Sequence, residues 1–567
     1  MNKVDVDVGT LVDMVARGEL RLPEMQRRYV WRAPRVRDLL DSLYRGYPSG
    51  AILVWETEDE LPIRDLGVKQ AENRFATTKL LLDGQQRLTS LSAVLRGEPI
   101  RVRGKQRPIE ILFNLDHPDS VAEIVEVDED EGEDEDNEEG DEEDEDDDEE
   151  QVSLQERLRQ LTFVVSSKAM KGLPNWVSVS DVMKSPDAGF LKAAGVTTLD
   201  DPRYEKYTNR LKRVRDIRAY PYVMHLLARD LSYEEVAEIF VRVNSLGVKL
   251  RSSDLALAQI TARWKNLLPE LESFQEECEK RNFTIDLGML VRSMVVFASG
   301  QCRFKSLGSI STARLQDGWS KAKDGLRFAV NFLSTNGKVE DEELLSSPFF
   351  LPAIAYAFDR ASGKLSQDDE RGLLEWVFVG SGRGYFGGSS ETKLDADLSR
   401  LRNGGGPAAL LKNLEQIFGR LRFDDGDIAG RGKASGLYGL TYLALKRQGA
   451  KDWRSGLGIS LLHKGRQHLL QSHHIFPKAV LRGKYGRREI NEIANRAFIG
   501  GRTNRGVSAT PPAEYMPGVI KERGPEALTS QCVPVEPALW ALPAYPQFLE
   551  RRRKDLVKAI NSMLDAL

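Results

Sequence analysis

The chain has six histidines in 567 residues, and four of them fall between positions 463 and 474. His473 and His474 are adjacent, and Asn491, Asn495 and Asn504 follow within 30 residues. This order of residue types suits hydrolysis of a phosphodiester with one metal ion. The reaction needs a deprotonated water in line with phosphorus, and a cation on the scissile phosphate and the leaving oxygen. A neutral imidazole is a suitable base, because its pKa lies near 7. His474 is the candidate base. His473 and Asn504 would give a nitrogen and an oxygen to a divalent metal, with Mg2+ the expected ion. A further group must fix the tautomer and direction of the base. Asn495 is the candidate for that role through its side-chain carbonyl, and Asn491 is its rival. An isolated His–His pair is more often structural than catalytic; the two ordered asparagines shift the balance.

These side chains need a strand, a turn and a helix to position them. Pro477 cannot donate to a ladder and ends the first strand. Gly500 and Gly501 allow the turn into a helix expected near Thr503. The segment resembles the HNH, or ββα-metal, nucleases residue by residue. In that family the first position of the pair is a metal ligand and the second is the general-base histidine. A following Asn orients the base, and a later Asn or His ligates metal. The resemblance covers about forty residues and implies these roles for His473, His474, Asn495 and Asn504. No cysteine pair flanks the segment, so no structural zinc knuckle is expected.

A chain of 567 residues is long enough for two or three domains with sizeable cores. Its three cysteines, Cys278, Cys302 and Cys532, have no metal-ligand spacing and fit a reducing cytoplasm. No apolar run of membrane-spanning length occurs and the N-terminus lacks a signal-like stretch, so neither secretion nor a membrane span is expected. The net charge of −5 conceals a polarised distribution. Between Asp128 and Glu150, 20 of 23 residues are acidic, and removing those 20 charges turns −5 into +15. The remainder is basic, as a nucleic-acid enzyme would be. The acidic run repels itself and is expected to be disordered. It reads either as a tolerated insertion or as a strap that mimics DNA over a basic groove.

A second stretch able to do chemistry is Leu80–Leu82, Asp83-Gly84, then Gln85, Gln86 and Arg87. A buried strand, a tight turn and a helix start form a natural anion site, since helix N–H groups and the dipole favour phosphate. Arg87 adds a bidentate donor. The alternative is a structural Asp83–Arg87 clamp. Upstream, Thr10 caps a short helix ended by Gly18. An extended stretch follows from Leu22 to Trp31. A helix then starts at Ala33-Pro34 and a strand runs from Ala51 to Trp55. The motifs Pro23–Trp31, Leu40–Pro48, Asp83–Arg87 and Phe240–Leu250 come in the order found in GmrSD-type modification-dependent (type IV) restriction endonucleases. The N-terminal domain of that family, which residues 15–260 resemble, is related to the ParB/sulfiredoxin fold, binds and hydrolyses NTPs and gates DNA cleavage. The resemblance implies Gln26, Arg27, Asp83, Gln85 and Arg87 as nucleotide-binding residues. There is no Walker P-loop.

The helix from Tyr204 to Arg218 is basic and reads as a solvated face or a DNA contact, and Tyr220–Met224 is a strand. From 255 to 420 the apolar recurrence is helical. The expected architecture is α+β and multidomain. A ParB/sulfiredoxin-like α/β module spans 1–255 with its acidic insertion at 128–150. An α-helical connector spans 256–420, and a C-terminal HNH nuclease spans 421–567 with its core at 465–510. The expected protein is a cytoplasmic, NTP-regulated, metal-dependent endonuclease of prokaryotic anti-phage defence acting on modified DNA, with a homodimer left open. A nucleotide-switched DNA-binding regulator and an RNA-directed nuclease are the alternatives.

Overall fold

The structure is a computed structural model that describes residues 2–24, 31, 33–58, 63–72, 77–98, 108–118, 161–166, 173–246, 252–463, 465 and 467–567. Gln26, Arg27, Gly247, Leu154, Leu158 and the acidic run 128–150 lie outside the described residues. The chain is a mixed α/β multidomain protein that divides into two compact units, Met1–Leu268 and Pro269–Leu567.

In the first unit, strands β1 (Asn2–Asp7), β2 (Leu20–Pro23), β3 (Ile52–Thr57), β4 (Ile63–Arg64), β5 (Thr78–Asp83) and β9 (Pro221–Leu227) form one mixed sheet in the order β1-β9-β3-β5-β2-β4. Three further strands, β6 (Ile111–Asn114), β7 (Phe163–Val165) and β8 (Trp176–Ser178), make a small antiparallel sheet ordered β7-β6-β8. Strand side chains alternate between faces, and β3 and β5 are apolar on both. Ile52, Val54 and Leu81 join the core beneath helices Val8–Ala16, Ala33–Arg45 and Gln85–Arg96. Leu53, Trp55, Leu80 and Leu82 pack on the opposite face with Val236 and Phe240. The central strands are therefore covered on both sides, which explains why Leu80–Leu82 carries no polar alternation.

Helix Val8–Ala16 is capped by Asp7, which accepts from Thr10 N–H at 2.7 Å; Thr10, expected to be the cap, sits inside the helix. The basic helix is Arg203–Arg215. Three of its cations serve the fold. Arg210 donates to Leu115 O, Arg213 to Tyr44 O, and Arg215 to Val182 O.

The second unit is largely helical up to Arg447, including Leu287–Ser299, Thr312–Thr335, Phe350–Arg360, Gln367–Gly382 and Gly436–Arg447. Beyond it come β10 (Leu470–His474), β11 (Arg496–Gly500), a short helix Gly501–Val507 and a terminal helix Tyr545–Asp565. Among the described residues, no helix is long and apolar enough to cross a membrane.

Candidate functional site

Strands β10 and β11 form an antiparallel pair in which His473 faces Ala497 and His474 faces Arg496. Consecutive strand residues point to opposite faces. His473 is accordingly buried, while His474 is half-buried. Gly500 ends β11 and Gly501 opens the helix Gly501–Val507, two residues before the expected start. This short turn brings Asn504 back over β10, with Asn504 Oδ1 2.6 Å from His473 Nδ1.

His473 stands against the rings of Trp453 and Tyr515, both nearly perpendicular to it. Its Nε2 is buried without a hydrogen-bond partner. Burial pushes its pKa down to about 4, against the pull of the Asn504 bond. With the proton on Nδ1, His473 donates to Asn504. With the proton on Nε2, two bare lone pairs face one another at 2.6 Å. That second arrangement suits a cation. One imidazole nitrogen and one amide oxygen are too few to enclose an ion, and they match a divalent metal that keeps most of its oxygen ligands from water and phosphate. Among the described residues, no cluster of three or more His, Cys, Asp or Glu offers an alternative metal site.

His474 Nε2 donates to Asn491 Oδ1 at 3.2 Å; a carbonyl oxygen can only accept, which sets this tautomer. Nδ1 then carries the lone pair. Arg496 holds Asn491 in place, donating from Nε to its backbone carbonyl at 3.3 Å and from Nη2 to its Oδ1 at 3.5 Å. Burial pushes His474 down to about 2, reinforced by the Arg496 and Lys478 cations and opposed by the Asn491 bond. The imidazole is therefore neutral at pH 7.

The geometry corrects one expectation. Asn495 does not orient His474. It is fully buried, and its amide is consumed by backbone: Oδ1 accepts from Phe476 N–H at 2.9 Å, and Nδ2 donates to Phe476 O and Ile490 O, each at 3.0 Å. Asn495 closes the loop that leaves β10. The bond to His474 belongs to Asn491.

Three supports were not apparent from the sequence. Arg552 and Glu492 are two; the third, Asp452, is buried about 20 residues before the histidines. Its Oδ1 accepts from Gly500 N–H at 2.7 Å, and its Oδ2 from Ser455 N–H at 2.7 Å and Thr503 Oγ at 2.8 Å. Asp452 thus pins the turn and the helix that carry Asn504. Burial alone would raise its pKa, but the Gly500 and Ser455 bonds win and hold it below the usual carboxylate range. A depressed folded pKa gives stability that is complete above the unfolded pKa and is lost as the pH falls through the folded value. Asp452→Asn should therefore cost about 2–3 kcal/mol at pH 7. In thermal unfolding, the gap between wild type and variant should narrow as the pH is taken below about 3.9, the ordinary aspartate pKa.

In the first unit, Asp83, Gln85 and Arg87 meet at the β5–helix corner. Arg87 donates to Ser49 O, to Ala51 O at 2.7 Å and to Asp83 Oδ2 at 3.1 Å. Gly50 lies at φ +89°, and a Cβ there would strike the Arg87 guanidinium. The Asp83–Arg87 clamp is thus present. Gln85 is buried, and Gly84 offers no side-chain cap to the helix Gln85–Arg96. The expected partners Gln26 and Arg27 lie outside the described residues.

The first unit thus carries a glutamine- and arginine-bearing strand–helix corner, and the second a histidine-bearing two-stranded ribbon. Residues 8–261 match the family model of the GmrSD restriction endonuclease N-terminal domain, and this match supports the GmrSD family. It points to a restriction-endonuclease role in defence, with DNA as the substrate that role implies. It ends before the His473–His474 segment. The chain is also similar to an uncharacterized protein of Methanocaldococcus jannaschii, 23% identical over 555 residues. That alignment covers 91% of this chain and 87% of the relative, so it runs through both units.

Proposed function

We infer that this protein is a nucleotide-regulated, metal-dependent DNA endonuclease that cuts modified foreign DNA in the prokaryotic cytoplasm. The observation that carries the reading is the convergence of His473 Nδ1 and Asn504 Oδ1 beside a His474 whose Nδ1 is left as a lone pair. His473 and Asn504 would hold Mg2+, which when bound would supply positive charge to the scissile phosphate and the leaving oxygen.

The protein's own residues do the rest. His474 Nδ1 takes a proton from the attacking water. Asn491, held by Arg496, keeps the proton on Nε2 and the ring in one direction. In the free protein burial and neighbouring cations make His474 a weak base. A phosphodiester alongside adds negative charge and raises its pKa toward neutrality, so base strength develops where substrate is bound. Arg496 and Lys478 favour that anion.

For regulation, the candidate nucleotide-binding set is Gln26, Arg27, Asp83, Gln85 and Arg87. Because Arg87 grips the 49–51 backbone, nucleotide bound at this corner would act on the loop before β3. The supporting observations are the helix start at Gln85 and the matched N-terminal family. The test is cleavage of modified and unmodified phage DNA, with and without NTP and Mg2+. Cleavage that requires Mg2+, prefers modified DNA and responds to NTP is expected, and Arg87→Ala should abolish the NTP response. Metal-independent cutting would sink the metal assignment. An Arg87→Ala protein with an intact NTP response would sink the nucleotide site.

A further inference from the structure

Glu24 is a buried carboxylate that the cleavage chemistry does not use; it is 3% exposed. Its two oxygens hold the start of a helix far along the chain. Oε1 accepts from Leu268 N–H at 3.0 Å and Oε2 from Asn266 N–H at 3.3 Å. These groups open helix Leu267–Glu279, whose third residue, Pro269, has no N–H to offer. A carboxylate at this place satisfies free donors and suits the positive end of the helix dipole.

The helix carries that hold onward. From Pro269 it belongs to the second unit. Glu270 accepts from Trp319 Nε1 at 2.9 Å and from Lys323 Nζ at 3.1 Å. Glu277 makes a bidentate pair with Arg327 at 2.7 and 2.9 Å. Helix Thr312–Thr335 is thus fastened, at positions one turn apart, to the helix that Glu24 caps.

Glu24 also stands at the candidate nucleotide corner. β2 runs parallel to β5, with Leu20 opposite Lys79 and Arg21 opposite Leu80. Carried to the strand ends, this register sets Glu24 level with Asp83, and neighbouring strands lie about 4.8 Å apart. Residues 25–30 lie outside the described residues. Just after them Trp31 N–H donates to Gln86 Oε1 at 3.1 Å, so the chain leaving Glu24 returns to the helix start at Gln85. Ligands of parallel strands sit beyond the carboxyl ends of those strands, and phosphate favours a helix start.

We propose that Glu24 couples this corner to helix Leu267–Glu279 by charge: phosphate bound at the start of helix Gln85–Arg96 repels the Glu24 carboxylate and releases the Asn266 and Leu268 N–H groups. The coupling rests on the nucleotide-regulated reading and gives that regulation a route. Like charges a few ångströms apart in a buried setting oppose one another strongly. By linkage the penalty is mutual: nucleotide loosens the helix start by the factor by which the intact cap weakens nucleotide binding.

The test is amide hydrogen exchange of the full chain, read by mass spectrometry over 266–271. The probes are the β,γ-imido analogues of ATP and of GTP, each added with Mg2+ and without DNA, with affinities measured by calorimetry. In wild type, bound analogue should speed exchange at Asn266 and Leu268 at least about fivefold. Glu24→Gln keeps the shape and drops the charge. It should bind analogue about fivefold more tightly, show no analogue-dependent change at the helix start, and cut DNA at a rate that NTP no longer alters. Glu279→Gln, at the exposed far end of the same helix, should behave as wild type. Unchanged exchange at Asn266 and Leu268 in wild type with analogue bound would overturn the coupling and leave the nucleotide site standing; this measurement needs no variant. A Glu24→Gln protein with wild-type affinity and NTP response would do the same. Failure of wild type to bind either analogue would overturn the nucleotide reading and the coupling together.

Discussion

His474→Ala should reduce DNA cleavage by about 10²–10⁴-fold, the usual contribution of a positioned general base, while leaving DNA affinity unchanged. Affinity for DNA comes mainly from cations on phosphates, and the substitution removes none. His474 is half-buried at the end of β10, so the ribbon tolerates its loss better than that of His473. The companion variants separate geometry from chemistry. Asn491→Ala should slow cleavage with little change in unfolding temperature, because it frees the base to rotate. Asn495→Ala should instead lower the unfolding temperature, because it strips three backbone groups of their partner in a buried loop. Equal activity of His474→Ala and wild type would remove the catalytic assignment.

Arg552→Ala should destabilise the second unit by about 3–5 kcal/mol, because it leaves buried backbone carbonyls without their donor and opens a cavity. Arg552 has no solvent exposure. Its guanidinium donates to Ala494 O at 2.8 Å, Cys532 O at 3.2 Å and Gln531 O at 3.2 Å. Burial pulls its pKa down to about 10, so it is still charged at pH 7. The next residue, Arg553, makes a bidentate pair with the buried Glu492 at 2.6 and 2.7 Å. Helix Tyr545–Asp565 thus grips the 492–495 segment, which sets both Asn491 and Asn495. Differential scanning calorimetry should find the unfolding temperature lowered by roughly 10 °C. Arg551→Ala, one position away on the exposed side, should leave it in place. An Arg552→Ala protein as stable as wild type would show that the terminal helix does not support the site.

Much of the framework was legible in the sequence because it is local. Leu80–Leu82 could be read as a buried strand from its unbroken apolar run, and Gly84 as the turn into a helix. The histidine strand, the Gly500–Gly501 turn and the Asn504 helix followed from the same kind of signal. The choice between Asn491 and Asn495 was not legible. The chain turns through the short helices Arg487–Ile490 and Ile493–Asn495 before β11, so which side chain reaches His474 depends on how that loop folds, not on spacing. Asp452 was missed because its partners lie some fifty residues ahead, at Gly500 and Thr503. Arg552 was missed because it stands in a run of four cations, Arg551 to Lys554, that reads as surface. Only the packed helix distinguishes the buried member.

The adjacency of His473 and His474 has a consequence for how change can enter this protein. The two share a residue type but not a vocation. The pleat sends one inward to Asn504 and the other toward Asn491. A one-residue slip of β10 would still leave a histidine in one of the two places, yet every partner would be exchanged. The repetition gives the site a spare letter without a spare part. Insertions or deletions within Leu470–His474 should be tolerated less than the doubled histidine suggests, and the five-residue strand acts as a reading frame for the chemistry that follows.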